Sequence, residues 1–133
     1  MSNLIATVSS IQSCDSLHIV KFDLNGHTLS MMSLDLSEKI TLGTKVILAI
    51  KPSHIAIAKE FSGEVSYSNQ LETTIVSCEN GQLLSSVKLL FVDTTLESII
   101  TVNSSKKMNL KKGDKVTAFI KASEVSISEV MDD

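Results

Sequence analysis

The sequence predicts an all-β fold built from two tandem five-stranded Greek-key barrels, each with a short helical turn. Three observations lead there. Val, Ile, Thr and Ser are plentiful, while Pro occurs once and Gly five times, a composition suited to strands. Apolar residues alternate with polar ones at period two. A closing segment also occurs twice: "VILAIKPSHIAIA", Val46 to Ala58, and "VTAFIKASEVSIS", Val116 to Ser128. Lys51 and Lys121 stand at a constant offset of 70, as do Ser53 and Ser123, and each copy has a Gly upstream, Gly43 and Gly113.

The repeat sets the domain organisation. The copies run over about residues 1–60 and 61–133 of the 133-residue chain. Units of this size bury too little apolar surface to stand alone, so the two are expected to share strands or a core. Ser2-Asn3 and Ser68-Asn69 open the copies at an offset of 66, which requires a small insertion later in the second copy.

Within each copy the strands follow in order. In "LHIVKFDLNGHTL", Val20, Phe22 and Leu24 alternate with Lys21 and Asp23. Asn25-Gly26 then marks a tight hairpin, because both central turn positions need positive φ. Val87, Leu89 and Phe91 form the matching strand, with Asp93 to Thr95 as the expected turn. "LSEKITLG" and "SSKKMNLKKGD" read as short helices or irregular turns that end at Gly43 and Gly113. In the closing segments Val46, Leu48 and Ile50 face inward, as do Val116, Ala118 and Ile120. After the Lys-x-Ser element the inward set becomes Ile55 and Ile57, or Val125 and Ile127. An even phase cannot become odd within a strand, so a bulge or helical turn must intervene in both copies. About five strands and one helical segment per copy suit a barrel of the oligonucleotide-binding type.

Composition excludes several functions. The formal charge is −3, and the chain has twelve Lys and no Arg, which is poor equipment for nucleic acid. The five aromatics are scattered, so no base-stacking platform forms. No apolar run reaches the eighteen or so residues of a membrane span, and the N-terminus lacks the pattern of a secretion signal. The cytoplasm is the expected compartment. Cys14 and Cys78 are expected to be free, in equivalent half-buried places of the two copies. No Cys or His spacing suits a metal. No Ser lies in a nucleophile context, paired carboxylates are not repeated, and no Gly-rich phosphate loop appears. No catalytic residue and no cofactor is expected. Lys beside Ser at an interrupted strand end does supply a donor-rich place for a small anion.

A resemblance narrows this. "LKKGDKVTAFIKASEV", Leu110 to Val125, resembles the closing segment of the Mop family of molybdate-binding domains, also called transport-associated OB (TOBE) domains. Their pattern is Leu-x-x-Gly-Asp-x-Val-x-Ala-x-Ile-Lys-Ala-Ser-x-Val. Ser66-Tyr67-Ser68-Asn69 occupies the place of their opening Ser-Ala-Arg-Asn. The resemblance implies a tandem pair of barrels with strand exchange, a homo-oligomer of three tandem chains, and molybdate or tungstate held at subunit interfaces. The binding positions it implies are Lys121, Ser123, Lys51 and Ser53 in the Lys-x-Ser elements. Ser66, Ser68, Asn69, Ser2 and Asn3 follow from the opening elements, and Thr101 and Ser33 from the strand after the hairpin. Two departures stand out: the family's Arg is absent, and Pro52 takes the place of the small residue after Lys51. The resemblance implies storage, buffering or delivery of the oxyanion. The alternative is an oxyanion-sensing or interaction module acting on a transcription regulator or an ABC transporter.

Overall fold

The computed structural model describes residues 2–131. It is all-β apart from one short helix and two 3-10 turns. The strands are β1 (Ser2–Cys14), β2 (Leu17–Leu24), β3 (His27–Ser33), β4 (Lys45–Ile50), β5 (Ala56–Ala58), β6 (Asn69–Asn80), β7 (Leu84–Phe91), β8 (Thr94–Thr101), β9 (Lys115–Ile120) and β10 (Ser126–Val130). Helix α1 spans Val102–Lys107, and 3-10 turns span Pro52–His54 and Ala122–Glu124. The strands form two five-stranded sheets, ordered β10-β4-β1-β2-β3 and β5-β9-β6-β7-β8. We call these lobe one and lobe two. Each repeat therefore gives its last strand to the other lobe, the exchange that the resemblance implied.

The exchange originates at the phase break. Val46, Leu48 and Ile50 are fully buried, Lys51 is exposed, and Ile55 is buried again at 1% exposure. The turn Pro52–His54 supplies the odd number of residues, and Ala122–Glu124 does the same between Ile120 and Val125. Pro52 fits the first turn position, where its missing N–H costs nothing. Beyond the turns, β5 pairs antiparallel with β9 and β10 with β4. Buried residues of both lobes then form one connected core, with Phe22, Leu48, Ile75, Phe91 and Ile120 among its members.

Glycine explains another repeated feature. A bulge interrupts the β1–β2 register between Val8 and Ser10, and the β6–β7 register between Ile75 and Ser77. At each bulge the loop before β4 or β9 docks by backbone bonds. Gly43 N donates to Val8 O at 2.9 Å, and Gly113 N to Ile75 O at 2.8 Å. Both glycines have positive φ, +86° and +92°, which disfavours any side chain there.

The ladder registers also fix how the copies align. Ser2 pairs with Ile50 as Asn69 pairs with Ile120. The β1 and β6 halves are thus 67 positions apart, so Ser2 corresponds to Asn69 and Asn3 to Gln70. The Ser-Asn match read from the sequence is one residue out of step. The extra three residues needed to reach an offset of 70 fall between β8 and β9, where α1 forms; lobe one has only turns there. The second hairpin also turns one residue earlier than expected, at Val92-Asp93, because Phe91 pairs with Thr94. This register places Leu89 opposite Leu96, both fully buried. The cysteines are free but inequivalent: Cys14 is exposed at the end of β1, while Cys78 lies half-buried with Sγ 3.3 Å from Ser105 Oγ. At an offset of 67, Cys78 corresponds to Ile11.

Short β5 is held at its end by Lys59. Its Nζ donates to Met108 O (3.1 Å), Asn109 O (3.2 Å) and Asp114 Oδ2 (3.1 Å). The Lys59 hydrogen bond is the main cause that holds the Asp114 carboxyl below the ordinary aspartate value. A carboxylate depressed in the fold contributes stability that is present above its unfolded pKa and lost as pH falls through the folded one. Lys59→Met should lower the melting temperature at neutral pH. The gap from wild type should narrow as pH falls below the aspartate range, and a gap constant with pH would overturn this linkage.

Val92 adopts φ +57° while 48% exposed. A β-branched residue in that conformation is strained by about 1–2 kcal/mol. Val92→Asn should therefore raise unfolding free energy by about 1 kcal/mol in a urea titration, since Asn tolerates the left-handed region. A destabilisation would show that the valine methyls contribute more than the strain costs.

Candidate functional site

The two 3-10 turns meet each other. His54 Nδ1 and Glu124 Oε2 are 2.9 Å apart, and these residues stand at the repeat offset of 70. Equivalent residues touch only at a twofold relation, so a pseudo-twofold axis passes between them. The turn of repeat one packs on β8, and that of repeat two on β3. Each phase break thus lies where both repeats converge.

Beside this junction is a pocket of about 280 Å³. Ser53 and His54 come from the first turn, Glu124 from the second, Lys121 from the residue just before it, and Tyr67 from the segment leading into β6. Ile99 and Ile100 of β8 form its apolar wall. Lys121 precedes its turn in extended conformation, φ −69° and ψ 144°, which leaves its side chain outside the core phase. Tyr67 is fixed by stacking on Phe119, with ring centroids 5.1 Å apart and planes 11° apart. Phe61 meets the same ring edge-on at 5.1 Å. The pocket is therefore lined by a lysine, a serine, a tyrosine, a histidine and a glutamate from two repeats of one chain.

The positions predicted from the sequence divide into groups. Lys121 and Ser53 share this pocket. Ser123 and Ser33 line a larger cavity of about 830 Å³ in lobe one, over an apolar floor that includes Met31, Ile40 and Val125. Ser33 Oγ also accepts from Asp35 N at 3.2 Å and donates to Asp35 O at 2.6 Å. Lys51 is exposed at the end of β4, and Ser66 and Ser68 are exposed before β6. Asn3 is exposed on β1 opposite Ala49.

Three predicted residues have visible structural work. Asn69 is 1% exposed; its Oδ1 accepts from Ser30 N (2.7 Å) and its Nδ2 donates to Ser30 O (2.9 Å). Its side chain thus pairs with β3 across the lobes as a strand would. Ser2 makes the equivalent link with one bond, accepting from Glu97 N at 3.0 Å. Thr101 caps α1 by accepting from Ser104 N at 3.2 Å. Thr101 and Ser33 are not counterparts, since the offset of 67 pairs Thr101 with Leu34 and Ser33 with Ile100. A one-residue slip sends the side chain to the opposite face.

Sequence reasoning left out His54, Tyr67 and Glu124 as pocket residues. The signal for two of them was present: His and Glu, a hydrogen-bond donor and an acceptor, at matched positions of a repeat. Tyr67 was visible only as a departure from the opening motif.

Two strand-exchanged barrels with a composite pocket between repeats define a tandem OB-type barrel protein. A profile of the TOBE domain matches residues 66–127, which lie in the second repeat. Its fold matches that of the cytoplasmic molybdate-binding protein ModG, in a form with molybdate bound, at a TM-score of 0.89 and 25% identity. That match covers 94% of this chain and 93% of ModG. A molybdate-binding protein from Sporomusa ovata shares 33% identity over 45% of this chain and 90% of its own, at a TM-score of 0.44. No curated protein sequence matches the chain.

Proposed function

We propose that this chain binds molybdate or tungstate as the intact oxyanion and serves in its storage, buffering or delivery in the cytoplasm. The observation that carries this is the junction pocket, which Lys121, Ser53 and Tyr67 line together in a fold that follows ModG over nearly its whole length. A tetrahedral dianion without protons needs donors. An ammonium supplies charge, and hydroxyls supply directed hydrogen bonds. The reading asks for no bond to be made or broken in the ligand.

Roles follow from position. Lys121 and Ser53 contact the anion directly. Ser123 and Lys51 are their pseudo-symmetric partners, and Ser33 lines the lobe-one cavity together with Ser123. Asn69 and Ser2 act by holding β6 on β3 and β1 on β8. Thr101 sets the end of β8 through its cap. Ser66, Ser68 and Asn3 are exposed and meet ligand at contacts between copies. Repeats 1–60 and 61–133 form one building block, and three blocks close a ring with threefold symmetry. Ile5, 58% exposed on β1, sits opposite half-buried Ile47 on β4 and offers apolar surface for that contact.

The two repeats are unequal binders in this reading. Ala122 keeps an amide donor that Pro52 lacks. Losing a charge-assisted contact of about 1.5–3 kcal/mol weakens a site roughly ten- to a hundredfold. Calorimetric titration with molybdate should show that loss in Lys121→Met and a smaller one in Lys51→Met, with light scattering giving a trimer mass for all three proteins. Unchanged affinity in Lys121→Met would reject the site. A larger loss in Lys51→Met would reject the ranking, and a monomer mass at micromolar concentration would reject the ring.

A further inference from the structure

Among the pocket's polar residues, Glu124 has the wrong chemistry for a dianion. A carboxylate only accepts hydrogen bonds when ionised, and it repels negative charge. Yet it lines the same pocket as Lys121 and Ser53. Its Oε2 is engaged by His54 Nδ1 at 2.9 Å. Because a carboxylate cannot donate, Nδ1 must carry the proton in this contact. As an imidazolium His54 cancels the Glu124 charge; as a neutral ring it still occupies one acceptor oxygen.

The pair has little to do with stability. The two side chains are 37% and 36% exposed, and ion pairs at such exposure contribute little to folding. Repeat symmetry makes the pairing informative. Two identical repeats would set a residue against its own copy at the pseudo-twofold axis, Glu against Glu or His against His. This chain instead has opposite partners at matched positions, next to the pocket.

Resting on the oxyanion reading above, we infer that His54 is a specificity-determining residue. By engaging Glu124 Oε2 it removes one acceptor from the junction pocket, and so favours an unprotonated dianion over an oxyanion that still carries a proton. Without His54, Glu124 offers both oxygens as free acceptors, and its charge loses the N–H dipole that faces it. Molybdate, which has no proton to give, is then repelled. Inorganic phosphate keeps a proton near neutral pH and can donate it to the freed carboxylate, so it loses less.

The test is calorimetric titration of the full chain with sodium molybdate and with inorganic phosphate at neutral pH. The proteins are wild type, His54→Ala, Glu124→Gln and His54→Ala/Glu124→Gln, each first checked for equal oligomeric mass and circular dichroism. His54→Ala should weaken molybdate binding about tenfold, the scale of one like-charge contact with a dianion near a surface. Its preference for molybdate over phosphate should fall. The double variant should regain molybdate affinity, and Glu124→Gln alone should bind at least as tightly as wild type. Glu124→Gln also keeps the proposal testable if His54→Ala fails to fold, since weaker molybdate binding in that variant overturns it. Unchanged molybdate affinity in His54→Ala overturns it too. So does a loss that persists in the double variant, which would make His54 a direct ligand or a structural support. A wild type that binds no molybdate removes the oxyanion reading as well, whereas failure confined to the variants removes only the role of His54.

Discussion

The structure depends on one constraint of strand geometry. Side chains alternate with period two, so a chain that must bury Ile50 and then Ile55 cannot remain a strand between them. The 3-10 turn at Pro52–His54 resolves the mismatch, and its twin at Ala122–Glu124 resolves the same one between Ile120 and Val125. Each turn redirects the backbone away from its own sheet. The strand that follows must pair elsewhere, since unpaired backbone donors and acceptors are costly when buried. The edges available are β9 for β5 and β4 for β10. Exchange, shared core and junction pocket all follow from that phase change. The residues displaced from the core phase, Lys51, Ser53, Lys121 and Ser123, are left exposed and available for chemistry.

The two lobes then differ through a few residues. Three additional residues after β8 allow α1 to form, with Thr101 as its cap and Lys106 and Lys107 in its last turn, where cations suit the helix dipole. Ser105 is the buried residue of this helix, with Oγ 3.3 Å from Cys78 Sγ and 3.2 Å from Asn80 Oδ1. Lys59 ties the end of β5 to the loop after α1. In β10 a register shift between Ile127 and Glu129 makes Glu129 the counterpart of Ala58, and Glu129 lines the cavity of lobe one. The helix and its lysine clamp belong to lobe two, and the cavity to lobe one.

Much of this was legible in the sequence because it rested on period and repetition. Alternation gave the strands, Asn25-Gly26 gave the first hairpin, and the repeated phase break gave the helical turns. The Gly43 and Gly113 positions were visible as a pattern, although their reason, docking onto a bulge, required the fold. The opening alignment failed because Ser-Asn is a two-residue match, and the registers make Asn69 the counterpart of Ser2. The second turn was misplaced because Val92 is a poor turn former; local propensity argued against a position that core register demanded. Cys14 and Cys78 misled for a related reason, since "SCDS" and "SCEN" are alike in letters but sit at different registers. The candidate site was legible only in part. Lys121 and Ser53 could be named, but which repeat's lysine meets which repeat's serine is a fact of exchange, and no local pattern encodes it.

Fusion of two repeats in one chain makes such asymmetry attainable. In a dimer of identical units, any substitution on the twofold axis appears twice and meets itself, so a charge there always faces its like. A tandem chain mutates each side separately. His54 can answer Glu124, Pro52 can stand where Ala122 keeps an amide, and α1 can fill one lobe alone. The scaffold changes little under these substitutions because the ladder bonds and the connected core do not involve them. The junction's electrostatics change considerably, because every group there lies near the axis and is felt by both repeats. The fold therefore places its least constrained residues beside the junction pocket.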